Sequence, residues 1–424
     1  MTAGMSCRLR EAAFFILTVL FVLQDKLQQM WKPFQYFDEG FAVLFVPLLL
    51  WNLLRREKPF AKNRTNAALV ILLGVFLLCG FAGHFVYRYQ PFVNAAKDAL
   101  VNVKFFLAAG TSYLLFLAPS FDFPALKRRL WPFLYAVTAV LFVLCLLDAA
   151  FHIFSSDTRG GLPAVKLFYN AQTTLVSCCV FLGSMFFWFY EEKKRKIIPP
   201  LAMLSAIMFS TLRVKAVGAI ACFVVVYLFV LRPYPKLGKK MKLLLGAVLA
   251  FAGAAGIYQL VRYYVLMGVE SARAVLTIAA PFAAWDHFPT GCGFATFGSA
   301  FSAEPYSPVY GMYRMAGVWG LSPGYHDFIS DTYWPMVLAQ TGFFGFAALI
   351  GALVLFCRKL LVLRRFRPML ASAVVPVLYL FISSTSESAF ANPIAVPFAF
   401  WIGFLLACHY SGEVQCANAG TDAQ

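Results

Sequence analysis

Apolar runs of roughly 20 residues recur from one end of this chain to the other, about the length a helix needs to cross a hydrocarbon layer. In lipid every backbone N–H and C=O must be satisfied internally, so the α-helix is the natural building block of such runs. The composition agrees, with 61% of the 424 residues hydrophobic and only 13% charged. A mean hydropathy of +0.73 does not describe a soluble core. The fold class expected is all-α, a polytopic membrane protein with about 12 spans. They fall near 11–24, 40–54, 66–87, 99–118, 131–151, 170–190, 197–212, 214–231, 243–266, 335–357, 369–384 and 394–410. The pair 197–212 and 214–231 is also compatible with a re-entrant hairpin, because Pro199-Pro200 opens it and the Arg213–Lys215 junction is tight.

The formal charge of +17 is distributed as orientation signals are, in short clusters between apolar runs. It forms no stripe interleaved with exposed aromatics, which excludes nucleic acid as a partner and leaves the lipid bilayer. Arg8 and Arg10 precede the first span, and alternate connections carry Arg55, Arg56, Lys58, Lys62 and Arg64, then Lys127, Arg128 and Arg129, then Lys193, Lys194, Arg195 and Lys196. The pattern continues with Arg232, Lys236, Lys239, Lys240 and Lys242, and ends with Arg358, Lys359, Arg364, Arg365 and Arg367. Cytoplasmic connections are the basic ones, so both termini are expected inside and segment 267–334 outside. The run Ala12–Leu23 resembles a signal sequence, but Gln24-Asp25-Lys26 follows it without a small-x-small cleavage pattern, which makes it an uncleaved anchor.

This gives an N-terminal bundle of about nine spans over 1–266, a large extracytoplasmic loop over 267–334, C-terminal helices over 335–410, and a short cytoplasmic tail over 411–424. The tail is polar and expected to be disordered. Most of the ten cysteines sit in apolar runs, no metal-ligand spacing occurs among them, and Cys292 alone in the loop cannot close a disulfide there. They read as packing residues. No nucleotide-binding domain or internal repeat is visible.

Chemistry is expected around Trp285–Gly345, the long polar interruption. Arg213 and Lys215, between two spans, run against the charge bias at the outer interface. Either they snorkel to headgroups, or they clamp a phosphate or pyrophosphate, which the planar arginine fork suits. Arg273 opens the amphipathic run ESARAVLTIAAPFAAWDHF; it either pairs with Glu270 three residues earlier or presents an anion site at a helix N-terminus. The glycines of Thr290-Gly291-Cys292-Gly293-Phe294-Ala295-Thr296-Phe297-Gly298 lack the strand–helix unit of a nucleotide site and fit a close backbone approach instead. His326 is a candidate general base, with Asp327 or Asp331 to orient it or meet a substrate hydroxyl. A metal site from these three side chains is the weaker reading. His287 and Asp286 read as cap or surface groups, and Gly342 and Gly345 as packing glycines. The aromatics, Tyr333 and Trp334 among them, suit either sugar stacking or an interfacial belt. Glu387 and Asn392, in STSESAFANP, are further polar candidates on this face.

Ser210 and Arg213 at a central span, Arg273 opening the loop, Pro289-Thr290-Gly291-Cys292-Gly293…Phe297-Gly298, and His326-Asp327…Asp331-Thr332-Tyr333…Gln340-Thr341-Gly342…Gly345 follow one another in an order that resembles the O-antigen ligase and O-antigen polymerase superfamily. The resemblance covers roughly residues 200–360. It implies a GT-C-like bundle in the bacterial cytoplasmic membrane and a metal-independent, inverting glycosyl transfer without cofactor. The donor would be an undecaprenyl-pyrophosphate-linked glycan, the acceptor a second glycan, and a flippase and chain-length regulator candidate partners. Arg213 and Arg273, with Lys215 beside them, would hold the pyrophosphate. His326 would act as the base, supported by Asp327, Asp331 and Tyr333.

A polymerase of lipid-linked repeat units into capsule, exopolysaccharide or O-antigen is the first reading, and a ligase onto lipid A-core or protein its close rival. A flippase or transporter of an anionic amphiphile would spread polar residues through the middle of several spans. Asp148 and a few others are the only interior charges expected, which favours the enzyme.

Overall fold

The apolar runs fold as helices throughout. The structure is a computed structural model that describes residues 2–54, 64–117, 121–154, 157–232 and 239–421. In chain order the helices are α1 (Thr2–Met30), α2 (Phe37–Val43), α3 (Phe45–Leu54), α4 (Arg64–Tyr87), α5 (Phe92–Phe116) and α6 (Phe123–Phe151). There follow α7 (Gln172–Phe187), α8 (Tyr190–Lys193), α9 (Ile198–Ser210), α10 (Val214–Val226) and α11 (Lys239–Leu260). Then come α12 (Ala272–Asp286), α13 (Val309–Met312), α14 (Tyr333–Leu360), α15 (Arg367–Ser383) and α16 (Ala395–Thr421). Strand is confined, among the described residues, to a hairpin pairing Thr158–Arg159 with Leu162–Pro163.

Eight helices among the described residues are long and apolar enough to cross a membrane, or up to nine if the pair Gln172–Phe187 and Tyr190–Ser210, bent by 69°, counts as one span. Arg367–Ser383 and Ala395–Ser411 are shorter apolar helices. The protein is thus an all-α polytopic membrane protein. The run at 40–54 is broken: Pro47 lacks an N–H and its ring crowds the carbonyl of Val43, where α2 stops. The sharp bend lies one helix earlier than the hairpin that the sequence allowed at 197–231. The guanidinium of Arg213, after α9, donates to Gln172 Oε1 at the start of α7 (2.8 Å), so the open ends of that pair meet on one face. The last helix runs on to Thr421, through the segment expected to be disordered. Its residues beyond Ser411 include no proline to stop it.

Helix packing centres on α5 and α16, with α4 against α14 beside them. Ser112 Oγ donates to the Phe400 carbonyl at 2.6 Å, and Trp401 Nε1 to Ser372 Oγ at 2.9 Å. Ser372 in turn donates to the carbonyl of Ser184, tying α15 and α16 to α7. Such interhelical bonds in an apolar bundle average about 0.6 kcal/mol each. Around them Phe14, Phe105, Phe116, Tyr379 and Trp401 are buried.

The connections sort to two ends. Lys127 pairs with Glu192 (2.8 Å), Arg129 with Glu11 (3.0 Å), Lys193 lies over the Trp131 ring and Arg232 reaches the Tyr190 hydroxyl. These contacts gather basic connections at one end; Arg55, Arg56, Lys58, Lys62 and Lys236 lie outside the described residues. Segment 267–334 meets the other end, where Gln90 donates to the Pro305 carbonyl at 2.7 Å and Ser388 Oγ to that of Ser330 at 3.0 Å.

That segment is packed, with its own core of Leu276, Cys292, Phe297, Tyr310, Met315, Leu321 and Ile329. The glycine-rich turn wedges between α4 and α14: Cys292 and Gly293 donate N–H to the carbonyls of Ala339 and Gln340, and Phe294 to that of Gly80. Gly342 breaks α14 at φ 64°, and a Cβ on it would lie 2.7 Å from the Pro289 carbonyl oxygen. Gly291 approaches from the other side at φ 77°, its Cβ position 2.3 Å from Gly342 N. Close backbone approach is therefore what these glycines provide. Buried Asp98 of α5 holds the turn, accepting from Ala295 N at 2.6 Å and Ser299 Oγ at 2.7 Å.

Interior charge includes Asp148, as expected, and extends beyond it. Asp148 lies in the last turn of α6 and accepts from Phe154 N just beyond it at 2.7 Å. Among the described residues the interior also holds Lys104 of α5, 1% exposed, with Asp38 at 2.5 Å and Glu39 at 3.2 Å. The sequence separation of these partners hides the pair from a reading by runs.

Candidate functional site

Four separate connections deliver charged side chains to one place. The α9–α10 junction turns on Leu212 at φ 51°, leaving Arg213 just before α10 and Lys215 in its first turn. Arg273 is the second residue of α12. Asp331 precedes α14, and Glu387 sits in the turn between α15 and α16.

Lys215 Nζ lies 2.8 Å from Glu387 Oε2, with the two side chains 13% and 16% exposed. Arg273 directs both Nε (3.0 Å) and Nη2 (2.9 Å) at Asp331 Oδ2, and its guanidinium stacks 4.5 Å from the Tyr263 ring centroid. The interaction expected with Glu270 does not form; Glu270 is exposed on a 3-10 turn before α12 begins. Arg213 Nη2 is held by Gln172, and Nε is buried with no hydrogen-bond partner among the described residues.

Burial and closely spaced cations set the electrostatics of the cluster. Burial first, then the neighbouring positive charge of Arg159, holds the Arg213 guanidinium below its ordinary pKa, with Glu387 offsetting part and Arg273 adding to it. Burial raises the Asp331 carboxyl, while Arg273 and Lys215 pull it back down. Arg213, Lys215 and Arg273 thus stand together with Asp331 and Glu387, and Arg159 adds positive charge beside Arg213. An incoming anion relieves that repulsion and offers acceptors to the unused guanidinium N–H groups.

Lys215 and Arg273 also stand at a groove of about 820 Å³ between α10, α11 and α15. Gly218, Ala221, Leu249, Gly256, Leu378 and Ile382 make its wall apolar and, at the small residues, deep. From Leu249 to Leu260 it follows α11 for about 16 Å at 1.5 Å per residue. Cations at one end of a long apolar groove fit an amphiphile with an anionic head.

Of the site residues read from sequence, Arg213, Lys215, Arg273 and Asp331 come together. His326 is half-buried on the turn just before Asp331, its Nδ1 buried without a hydrogen-bond partner among the described residues. Asp327 beside it is exposed. Tyr333 belongs to the helix core, 1% exposed and 5.5 Å from the Phe390 ring, so its support is packing beneath the site. His287 is a structural group, bonded through Nδ1 to the Ala283 carbonyl and through Nε2 to the Tyr89 hydroxyl. Asp286 accepts from Tyr313. No group of three or more His, Cys, Asp or Glu side chains among the described residues could hold a metal ion.

Sequence reasoning missed Gln172, Tyr263 and Arg159. Arg159 was within reach of the argument that selected Arg213, being another cation on the poorly basic side; Gln172 and Tyr263 carry no such signal. Comparison with models of protein families gives no match, and comparison with curated proteins gives none either, so the case for an activity rests on the geometry of this site.

Proposed function

We propose that the protein is a membrane glycosyltransferase that polymerises undecaprenyl-pyrophosphate-linked repeat units into a surface polysaccharide. In this reading the chain crosses the bacterial cytoplasmic membrane 12 times, roughly as the apolar runs suggest, with the basic end cytoplasmic and the cation cluster outside. The observation that carries it is the placing of Arg213, Lys215 and Arg273 together, two of them at the mouth of an apolar groove. The groove takes the polyprenyl chain and the cations take the pyrophosphate.

The chemistry follows. A hydroxyl of the acceptor sugar attacks the anomeric carbon of the donor from the face opposite the pyrophosphate. The new C–O bond forms as the bond to phosphate oxygen breaks, inverting the centre, and the leaving pyrophosphate keeps the electron pair. Preorganised guanidinium groups stabilise the charge developing on it in a partly desolvated site. His326 takes the hydroxyl proton, worth on the order of 10²–10⁴-fold for a positioned base. Asp331 holds the Arg273 fork in place.

The test is the lipid-linked glycan pool of a strain lacking the protein, complemented by wild type, His326→Ala or Arg273→Ala. Single repeat units accumulate in the deletion and in both variants if the protein is the polymerase; long chains accumulating instead identify a ligase. Normal polymer yield in both variants, at equal membrane insertion, overturns the reading. The buried Lys104–Asp38–Glu39 group favours one second reading, transport of an anionic amphiphile, because ions buried within spans are common in transport pathways. Flipping of labelled undecaprenyl pyrophosphate across proteoliposomes without glycan transfer would select it.

A further inference from the structure

Glu387 divides its carboxylate between two surroundings. Oε2 meets Lys215, at the groove, whereas Oε1 is buried with no hydrogen-bond partner among the described residues. The same side chain lines a second, smaller cavity of about 160 Å³. One wall is α1, where Gln24 and Gln28 lie a helical turn apart on one face; the other is α7, with Thr173 and Thr174. Asn392 closes it from the α15–α16 turn, and Phe181 and Phe398 give it an apolar floor.

The lining selects a ligand class. It holds hydroxyl, amide and carboxylate groups with no lysine or arginine, which suits a neutral polyhydroxyl compound and disfavours an anion. Asp25 also lines it but is committed, accepting from Asn170 N at 2.6 Å and from Gln29 Nε2 at 3.0 Å. The cavity has about a fifth of the groove's volume, 160 against 820 Å³. That is room for one sugar ring and far less than the groove offers a lipid tail. The hydrogen-bonding groups that line it match the hydroxyls a pyranose presents.

We propose that this cavity binds the terminal ring of a neutral glycan, with Glu387 Oε1 accepting a hydrogen bond from one of its hydroxyls. The inference rests on the glycosyl-transfer reading and deepens it: the cavity is the acceptor subsite, and the Lys215–Glu387 pair stands between it and the donor's pyrophosphate. One carboxylate then touches both substrates' surroundings, so acceptor binding and the cation cluster are linked through Lys215.

The experiment uses the full chain in phosphatidylcholine nanodiscs and two independent arms. In the first, glucose, galactose and N-acetylglucosamine at millimolar concentration are the probes in saturation-transfer NMR. At least one should give a signal with wild type that falls threefold or more in Thr174→Trp and in Gln28→Trp, which fill the cavity from opposite walls, and in Glu387→Gln. In the second, undecaprenyl pyrophosphate binding should be unchanged in Thr174→Trp and Gln28→Trp and weakened tenfold or more in Arg213→Ala. Absence of signal from all three sugars, or a signal equal in wild type and both tryptophan variants, overturns the acceptor site. Insensitivity of undecaprenyl pyrophosphate binding to Arg213→Ala overturns the donor reading separately.

Discussion

Arg273 is the residue on which the anion-site reasoning is most exposed to test. Its guanidinium makes two hydrogen bonds to a single oxygen of Asp331 and keeps further N–H groups for a ligand, while the Tyr263 ring fixes its plane. Its side chain is 18% exposed, so water screens it only in part. A hydrogen bond to a charged partner contributes about 1.5–3 kcal/mol net. Arg273→Ala should therefore weaken undecaprenyl pyrophosphate binding about 10- to 150-fold, at 1.4 kcal/mol per decade. Arg273→Lys keeps the charge and loses the fork, and should fall between the two. Asp331→Asn has the opposite sign: it removes the internal anion competing for Arg273, so affinity should rise a few-fold even as transfer suffers from a less ordered guanidinium. Binding to nanodisc-embedded protein at fixed ionic strength measures all three, since screening changes every value. Affinity within threefold of wild type in Arg273→Ala, or weaker binding in Asp331→Asn, refutes the reasoning.

Lys104→Met strands Asp38 and Glu39 in the interior and should cost about 3–5 kcal/mol, read as lost thermal stability in detergent, with Asp38→Asn added to it restoring part. Gly342→Ala should destabilise by about 1–3 kcal/mol because both its positive φ and the Pro289 carbonyl oppose a Cβ, whereas Gly246→Ala, with nothing within 4 Å, should not destabilise. Burial raises the Asp331 carboxyl above its ordinary 3.8, so the folded state binds that proton at a pH where the unfolded chain does not. The contribution is full below 3.8 and lost as pH rises through the folded value; wild type should gain on Asp331→Asn in melting temperature as pH falls toward 4. A membrane-impermeant maleimide should label Trp319→Cys on intact cells and fail to label Arg195→Cys; the reverse pattern inverts the assigned orientation.

What the sequence made legible follows from which interactions are local. Span positions and the gathering of Lys127, Lys193 and Arg232 at one end depend on runs of residues, which lipid imposes on each segment alone. Arg213, Lys215 and Arg273 stood out for a similar reason, each being a cation where the charge bias predicts none. Asp331 and Glu387 were also legible as candidates, but not as partners of these cations, because they reach them across the fold and no spacing encodes that. The same holds for Lys104, whose ion pair with Asp38 joins α5 to α2. Gly291 and Gly342 were readable as close-approach residues, but not that they approach each other. Patterning thus identifies cations that lack a local reason, and only the fold says whether each has been neutralised. Arg213 has its Nε buried without a hydrogen-bond partner among the described residues and other cations beside it. A burial that costly is offset if a ligand supplies the missing charge, and under the proposed function that ligand is the donor's pyrophosphate.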